Sequence, residues 1–303
     1  MADVESVLGA AQGYGDDNGQ SLGGQSYPWI QWVHGTRALE ATGATHPLYT
    51  GGWFLSVEQA EHLGLSPEAL SGWIEATLTH RGGGKTEGWV RRDLTVAVIA
   101  WRRAWMAVDG GRNRRYPWAM YDQAREANGG KAPRSRLQVL TVPQGWPLDE
   151  PVVLTIGGLA GKAFFDALAL AQRNILQPIA KVSKAKRLPF RMFWLTFGPE
   201  RDAHGAPVFV KVGEGTASSW VTPPSLVGGA ERLTSQQIVA LFVDADDPKG
   251  RTRLNAFDAL WNDPATQEWL HAWDTAYEPE DAHAPTAARE DFVPALDEEE
   301  IPF

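Results

Sequence analysis

Residues 93–109 read DLTVAVIAWRRAWMAVD. Few stretches constrain a chain more. β-Branched and aromatic residues fill the run, and such residues fit a pleated, half-buried surface. The Thr-Val-Ala-Val-Ile start predicts one long strand, which commits the chain to a sheet. A helix is the alternative, because Val98, Trp101, Trp105 and Val108 also fit a 3.6-residue period.

The flanking segments extend the pattern. RLQVLTVP and PVVLTIGG read as two more strands. LAGKAFFDALALAQRNIL reads as a helix, with Phe164, Leu168, Ala171 and Ile175 on one stripe and Pro178 bending or ending it. LPFRMFWLTFG and APVFVKVG read as a hairpin around a polar loop. Three strands, a helix and two strands is the chain order of an OB-fold barrel. The expectation is therefore an α+β protein with an OB-fold-like β-barrel core, closed or partly open over residues 92–213, with the 159–177 helix plugging one end. Other α+β folds share this order.

Before that core, YPWIQWVHG reads as a short strand. Ser56 and Gln59 have the spacing of a capping box, and Gly64 can stop the helix they open. Ser66 followed by Pro67 opens a second helix running to about Thr79. After the core, Thr234 and Gln237 form another capping box, and RLNAFDALW and TQEWLHAWDTAY read as helices around Pro264. The expected divisions are a disordered N-terminus (1–26), an N-terminal α/β region (27–90), the OB-like core (91–230), a helical segment (231–277), a flexible linker (278–295) and an acidic tip (296–303).

Composition narrows the chemistry. The chain has 303 residues and no cysteine, so thiolate zinc sites, disulfides and cysteine nucleophiles are excluded, which fits a reducing compartment. The first residues lack the basic and apolar regions of a secretory leader, and no run approaches the length of a membrane span. A cytoplasmic location is expected. The net charge of −9 is unevenly placed. Residues 80–140 carry a net +8 and residues 162–211 a net +6, whereas residues 278–303 carry −8. A basic middle between acidic ends points to an anionic partner.

Strict alternation along the long strand puts Trp101, Arg103 and Trp105 on one face, opposite Leu94, Val96, Val98, Ala100, Ala104, Met106 and Val108. An exposed Trp-Arg-Trp ladder suits unstacked bases and their phosphates; the alternative is burial of both tryptophans against the N-terminal region. Basic and aromatic residues interleave nearby. Trp89 and Arg91 precede the strand, Arg112, Arg114 and Arg115 follow it, and Lys181, Lys184, Lys186, Arg187 and Arg191 run up to Phe193 and Trp194. Together they form the expected single-strand DNA-binding set, with no cofactor and no metal.

Other motifs carry less. THRGGGKTEGW fails as a phosphate loop, since Thr79 stands where a glycine is required. Asp244 and Asp246 could hold Mg²⁺ in a metal-dependent nucleic-acid enzyme, but they follow a capped helix whose C-terminal end disfavours anions. The histidines show no metal spacing. No enzyme is expected.

The chain ends LDEEEIPF. Four carboxylates, Asp297, Glu298, Glu299 and Glu300, stand before Ile301, Pro302 and Phe303. This octapeptide resembles the C-terminal tip of bacterial single-stranded DNA-binding proteins, with glutamates where that family usually has aspartates. The resemblance implies a partner class: replication and repair enzymes whose basic-rimmed apolar pocket takes the terminal aromatic. Phe303 supplies apolar burial, the acids steer the encounter, and Pro302 lowers the ordering cost. The body carries no motif of that family. A protein-interaction adaptor without direct DNA binding is the alternative reading.

Overall fold

The computed structural model describes residues 27–35, 47–79, 84–109, 112–184, 188–212, 219–228, 233–247 and 249–274. The expected N-terminal disorder (1–26), the linker (278–295) and the acidic tip (296–303) fall outside them.

The long strand forms, as β5 (Leu94–Asp109), and the sheet is organised around it. One edge pairs first with β9 (Trp194–Pro199), Leu94 standing opposite Phe197, and then with β6 (Arg112–Pro117), Ala104 standing opposite Pro117. Its other edge carries β7 (Arg134–Pro143) along nearly its whole length. Beyond β7 the order continues through β8 (Val152–Gly157), β1 (Trp29–Val33), β2 (Gly52–Ser56) and β4 (Lys85–Arg91) to β3 (Ile74–Thr79). On the other side β12 (Pro224–Leu226) extends the sheet from β9. Among the described strands only β1 and β8 run parallel. Residues 27–90 and 91–230 thus feed one ten-stranded sheet, and the N-terminal strands are not an appended layer. A separate ribbon holds β10 (Val210–Val212) and β11 (Ser219–Val221).

The helices lie on the sheet's faces. α1 (Pro47–Thr50), α2 (Val57–His62) and α3 (Tyr121–Ala127) are short. α4 (Gly158–Ala171) continues through a π-helical turn, Gln172–Leu176, into α5 (Gln177–Ser183). Pro178 therefore does not end the helix. It sits in the first turn of α5, and the wide turn before it relieves the missing N–H. α6 (Ser235–Ala240) has the complete Thr234–Gln237 capping box, and α7 (Thr252–Asn262) and α8 (Pro264–His271) follow.

Two cores result. On one face Phe164 and Leu168 of α4 pack against Ile30, Trp53, Leu94, Val96, Val98, Val139, Leu154 and Phe197. On the other, Leu254 and Phe257 of α7 and Trp269 of α8 cover Ala97, Ile99, Ala100, Leu140, Val142 and Val153.

Sheet and helices combine in a mixed α+β fold, but among the described residues no barrel closes. β2 and β9 stand five strands apart in the order, about 24 Å in a flat sheet. Yet the Trp53 Nε1–H donates to the Phe197 carbonyl at 2.9 Å. Trp32 Nε1–H likewise donates to the Thr222 carbonyl at 3.0 Å. The sheet curls around Phe164, which touches Trp53 and Phe197. Two indole N–H groups bridge the curl where an OB-fold would use a ladder. The expected hairpin of LPFRMFWLTFG with APVFVKVG also does not form, since β9 pairs with β5 and β12, and β10 with β11. The helix expected from Ser66 to Thr79 gives way to turns, a left-handed Gly72 (φ 80) and strand β3. Among the described residues no helix is long and apolar enough to cross a membrane.

Two stability effects follow. Trp53→Phe keeps most of the volume and removes the bridging donor; urea unfolding is expected to show a loss of about 1–3 kcal/mol, and an unchanged midpoint would deny the bridge its role. His34, at the end of β1, is pulled down to about 4 because burial disfavours its charged form. The unfolded chain therefore takes up a proton near pH 6.5 that the folded chain refuses. The histidine's contribution is intact above pH 6.5 and is lost as pH falls toward 4, by about 1–3 kcal/mol. His34→Gln is expected to flatten that part of the stability–pH curve; identical curves for the two proteins would refute the assignment.

Candidate nucleic-acid interface

The residues expected to bind single strands are distributed differently from the sequence pattern. The cause is local. The register of β5 against β7 shifts between Val98 and Ala100. A bulge adds one residue and flips the alternation. Before it, Leu94, Val96 and Val98 face α4; after it, Trp101 and Arg103 face that side instead. The even-numbered residues from Ala100 onward turn toward α7 and α8.

The Trp-Arg-Trp ladder is consequently no open platform. Trp105 is 6% exposed. It stacks on Trp118 at 4.0 Å with 13° between the planes, and its Nε1–H donates to the Trp118 carbonyl at 2.8 Å. Ala124 of α3 closes the same cluster. Trp101 is half-buried and meets Phe190 edge-on at 5.5 Å. Arg103 is exposed, with its guanidinium 4.1 Å above the Trp118 ring and 5.1 Å from Phe165. Partial burial pulls its pKa down. Phe193 and Trp194 belong to the two cores, Trp194 lying edge-on against Phe257. Trp89, opposite Leu55 on β4, is half-buried against the α4-side core, and Arg91 is half-buried beside it.

The cations divide in the same way. Arg191 pairs with Asp258 of α7 and lies over Trp261. Lys181 and Lys184 are exposed at the end of α5. Lys186 and Arg187 lie outside the described residues, as does the side chain of Arg112. Arg114 is half-buried on β6 opposite Ala107. Arg115 donates to the Ala272 carbonyl at 3.1 Å, with its guanidinium 5.3 Å from Trp273.

Arg102 is a charge on the α7–α8 side of β5. It is 5% exposed. Its Nε–H donates to Gln138 Oε1 at 2.9 Å and its Nη1–H to the Trp269 carbonyl. Trp269 and Trp273 hold the guanidinium at 4.1 and 4.3 Å. Burial first, and then the neighbouring Arg115, pull it well below the ordinary guanidinium value. Residues opposite each other in antiparallel strands share a face. Around Arg102, register therefore groups Arg115 and Arg134 on either side of Met106, and Arg136 beside Ala104. Arg134 and Arg136 were absent from the expected set. Their two-residue spacing in RSRLQVL was the available signal, since it puts both on one face of β7.

The aspartates after α6 are occupied. Asp244 is 1% exposed and accepts from the backbone N–H groups of Arg253 and Leu254 at 3.0 and 2.9 Å, capping α7. Asp246 takes both Arg253 Nη groups, which hold its carboxyl below the usual range. Among the described residues no cluster of acids and histidines could hold a metal ion.

Comparison with protein-family models, with characterised proteins and with solved structures finds no match.

Burial at Trp105 makes a quantitative expectation. Trp105→Ala should cost about 3–5 kcal/mol of unfolding free energy, the usual cost of emptying a buried aromatic site. A loss below about 1 kcal/mol in urea would return Trp105 to the role of an open stacking surface.

Proposed function

We propose that this chain binds single-stranded DNA with little sequence preference and brings replication, recombination and repair enzymes to it through residues 296–303. The observation that carries the reading is the sequence LDEEEIPF, which is similar to the tip of bacterial single-stranded DNA-binding proteins. A purely solubilising acidic segment gives no reason for an Ile-Pro-Phe run behind its charges. The arginines of β5, β6 and β7 support the DNA-binding half. They lie in the block that carries a net +8, far in charge from the −8 of residues 278–303. Cationic grooves follow a phosphate backbone regardless of sequence.

Both halves are tested on the full chain. Oligonucleotide binding should be salt-dependent, and immobilised protein should retain host replication enzymes. Phe303→Ala keeps every side-chain charge; it is expected to abolish that retention and to leave oligonucleotide affinity within twofold. Deleting residues 296–303 removes a polyanion held at an effective concentration on the order of millimolar. The deletion should tighten oligonucleotide binding, most clearly at low salt. Retention of the same enzymes by the Phe303→Ala protein would reduce the tip to a charge block and remove the main support for the reading.

A further inference from the structure

Burial of Trp105 brings a different indole to the surface. Trp101 and Arg103 lie two residues apart on the α4 side of β5, about 7 Å along the strand. Trp105, next on that side, is buried, but Trp118 stacks on it at 4.0 Å. The row that reaches the surface is therefore Trp101, Arg103 and Trp118: an exposed guanidinium and two half-buried indoles. Arg103 is bound differently from its neighbours. Arg92, Arg191 and Arg253 each meet an aspartate. Arg102, Arg115 and Arg125 each donate to a backbone carbonyl. Arg103 meets rings instead, Trp118 at 4.1 Å and Phe165 of α4 at 5.1 Å. Burial is the one cause that lowers its pKa, with no carboxylate acting on it. Among the described residues its N–H donors have no oxygen acceptor, and the Nε1–H groups of Trp101 and Trp118 donate to none either. Aromatic rings answer the charge of a guanidinium and leave its directional donors open.

We infer that Arg103, held between α4 and the turn before α3, is a phosphate contact for single-stranded nucleic acid, with the Trp101 and Trp118 indole N–H groups as neighbouring donors. The inference rests on the single-strand-binding reading above and assigns that reading a residue. Three features carry it. The guanidinium fork matches the paired oxygens of a phosphate. Trp118 and Phe165 restrain the side chain before any ligand arrives, so less freedom is lost on binding. Indole surface lies beside the fork, and a nucleotide carries a flat base close to its phosphate. An acidic peptide would use the fork and leave the indoles idle. A phosphate seated here also replaces water around a partly buried charge, which favours the cation that burial disfavours.

The test is a binding titration of full-length protein with fluorescent oligothymidylate at several salt concentrations. Arg103→Met removes the charge and keeps an apolar stem against both rings. Lys211→Met removes one charge from the exposed side of the separate β10–β11 ribbon and serves as the comparison. Arg103→Met is expected to lose about fivefold or more in affinity at low salt. Its slope of log affinity against log salt should become shallower by about 0.7, the share of one lost phosphate contact on a single strand. Lys211→Met should change less than twofold. Arg103→Lys keeps the charge without the fork, so it should keep the wild-type slope and recover only part of the affinity; that recovery separates a lost contact from a misfolded protein. Equal losses in the two methionine variants, or a wild-type slope in Arg103→Met, would overturn the assignment and leave the single-strand reading standing. If wild-type protein fails to bind oligothymidylate at low salt, the reading and the contact fall together. Unchanged oligothymidylate binding by Arg103→Met with loss of polyglutamate binding would give Arg103 to an acidic protein partner and overturn the inference as well.

Discussion

One extra residue between Val98 and Ala100 decides what each side of this molecule is made of. A sixteen-residue strand with uninterrupted alternation would present one chemistry along its whole length. The bulge breaks β5 into two halves of opposite phase. The first half gives Val96 and Val98 to the α4 core and Ala97 and Ile99 to the α7–α8 core, so it is buried on both faces. The second half gives Trp105 to the small cluster under α3 and gives Arg102 to the C-terminal helices. Both cores depend on that phase change, and so does the grouping of the arginines.

A buried guanidinium is costly unless its donors and its charge are both answered. At Arg102 the answer comes largely from backbone carbonyl and aromatic faces. The end of a helix carries partial negative charge, so α8 docks with its favourable end toward the cations. Two indole quadrupoles add attraction that grows as water is excluded. The same contacts fix α8 on the sheet and link it to Arg115 on β6. Packing and electrostatics are therefore set by one side chain.

Elements were legible in the sequence where the signal was local. The capping pair Thr234–Gln237, the strands at 94–109, 134–143 and 152–157, and the helix from Gly158 all announced themselves by period or by cap. Facing was not legible, because a bulge leaves no mark in a run of alanine, valine and isoleucine. The Trp101–Trp105 ladder was misread for that reason alone. The barrel failed for another: strand order depends on pairings across distant segments, such as β1 with β8 and β2 with β9's carbonyl, which no short window contains. Gln59 shows both limits at once. Its spacing from Ser56 signalled a helix start, and its amide oxygen is in fact spent on the backbone N–H of Trp29.

The parallel pairing of β1 with β8 has a consequence for the growing chain. β1 is synthesised long before the strand it lies against, and the curl is bridged from Trp32 to Thr222, 190 residues later. At 5–20 residues per second, that partner emerges from a ribosome on the order of 10–40 s after the tryptophan. For the first part of that interval WIQWV has β2 beside it and not yet β8, and the bridge across the curl comes last. The sheet cannot be completed until most of it has been translated, and the slow, non-local closure typical of high contact order is built into where the first strand sits.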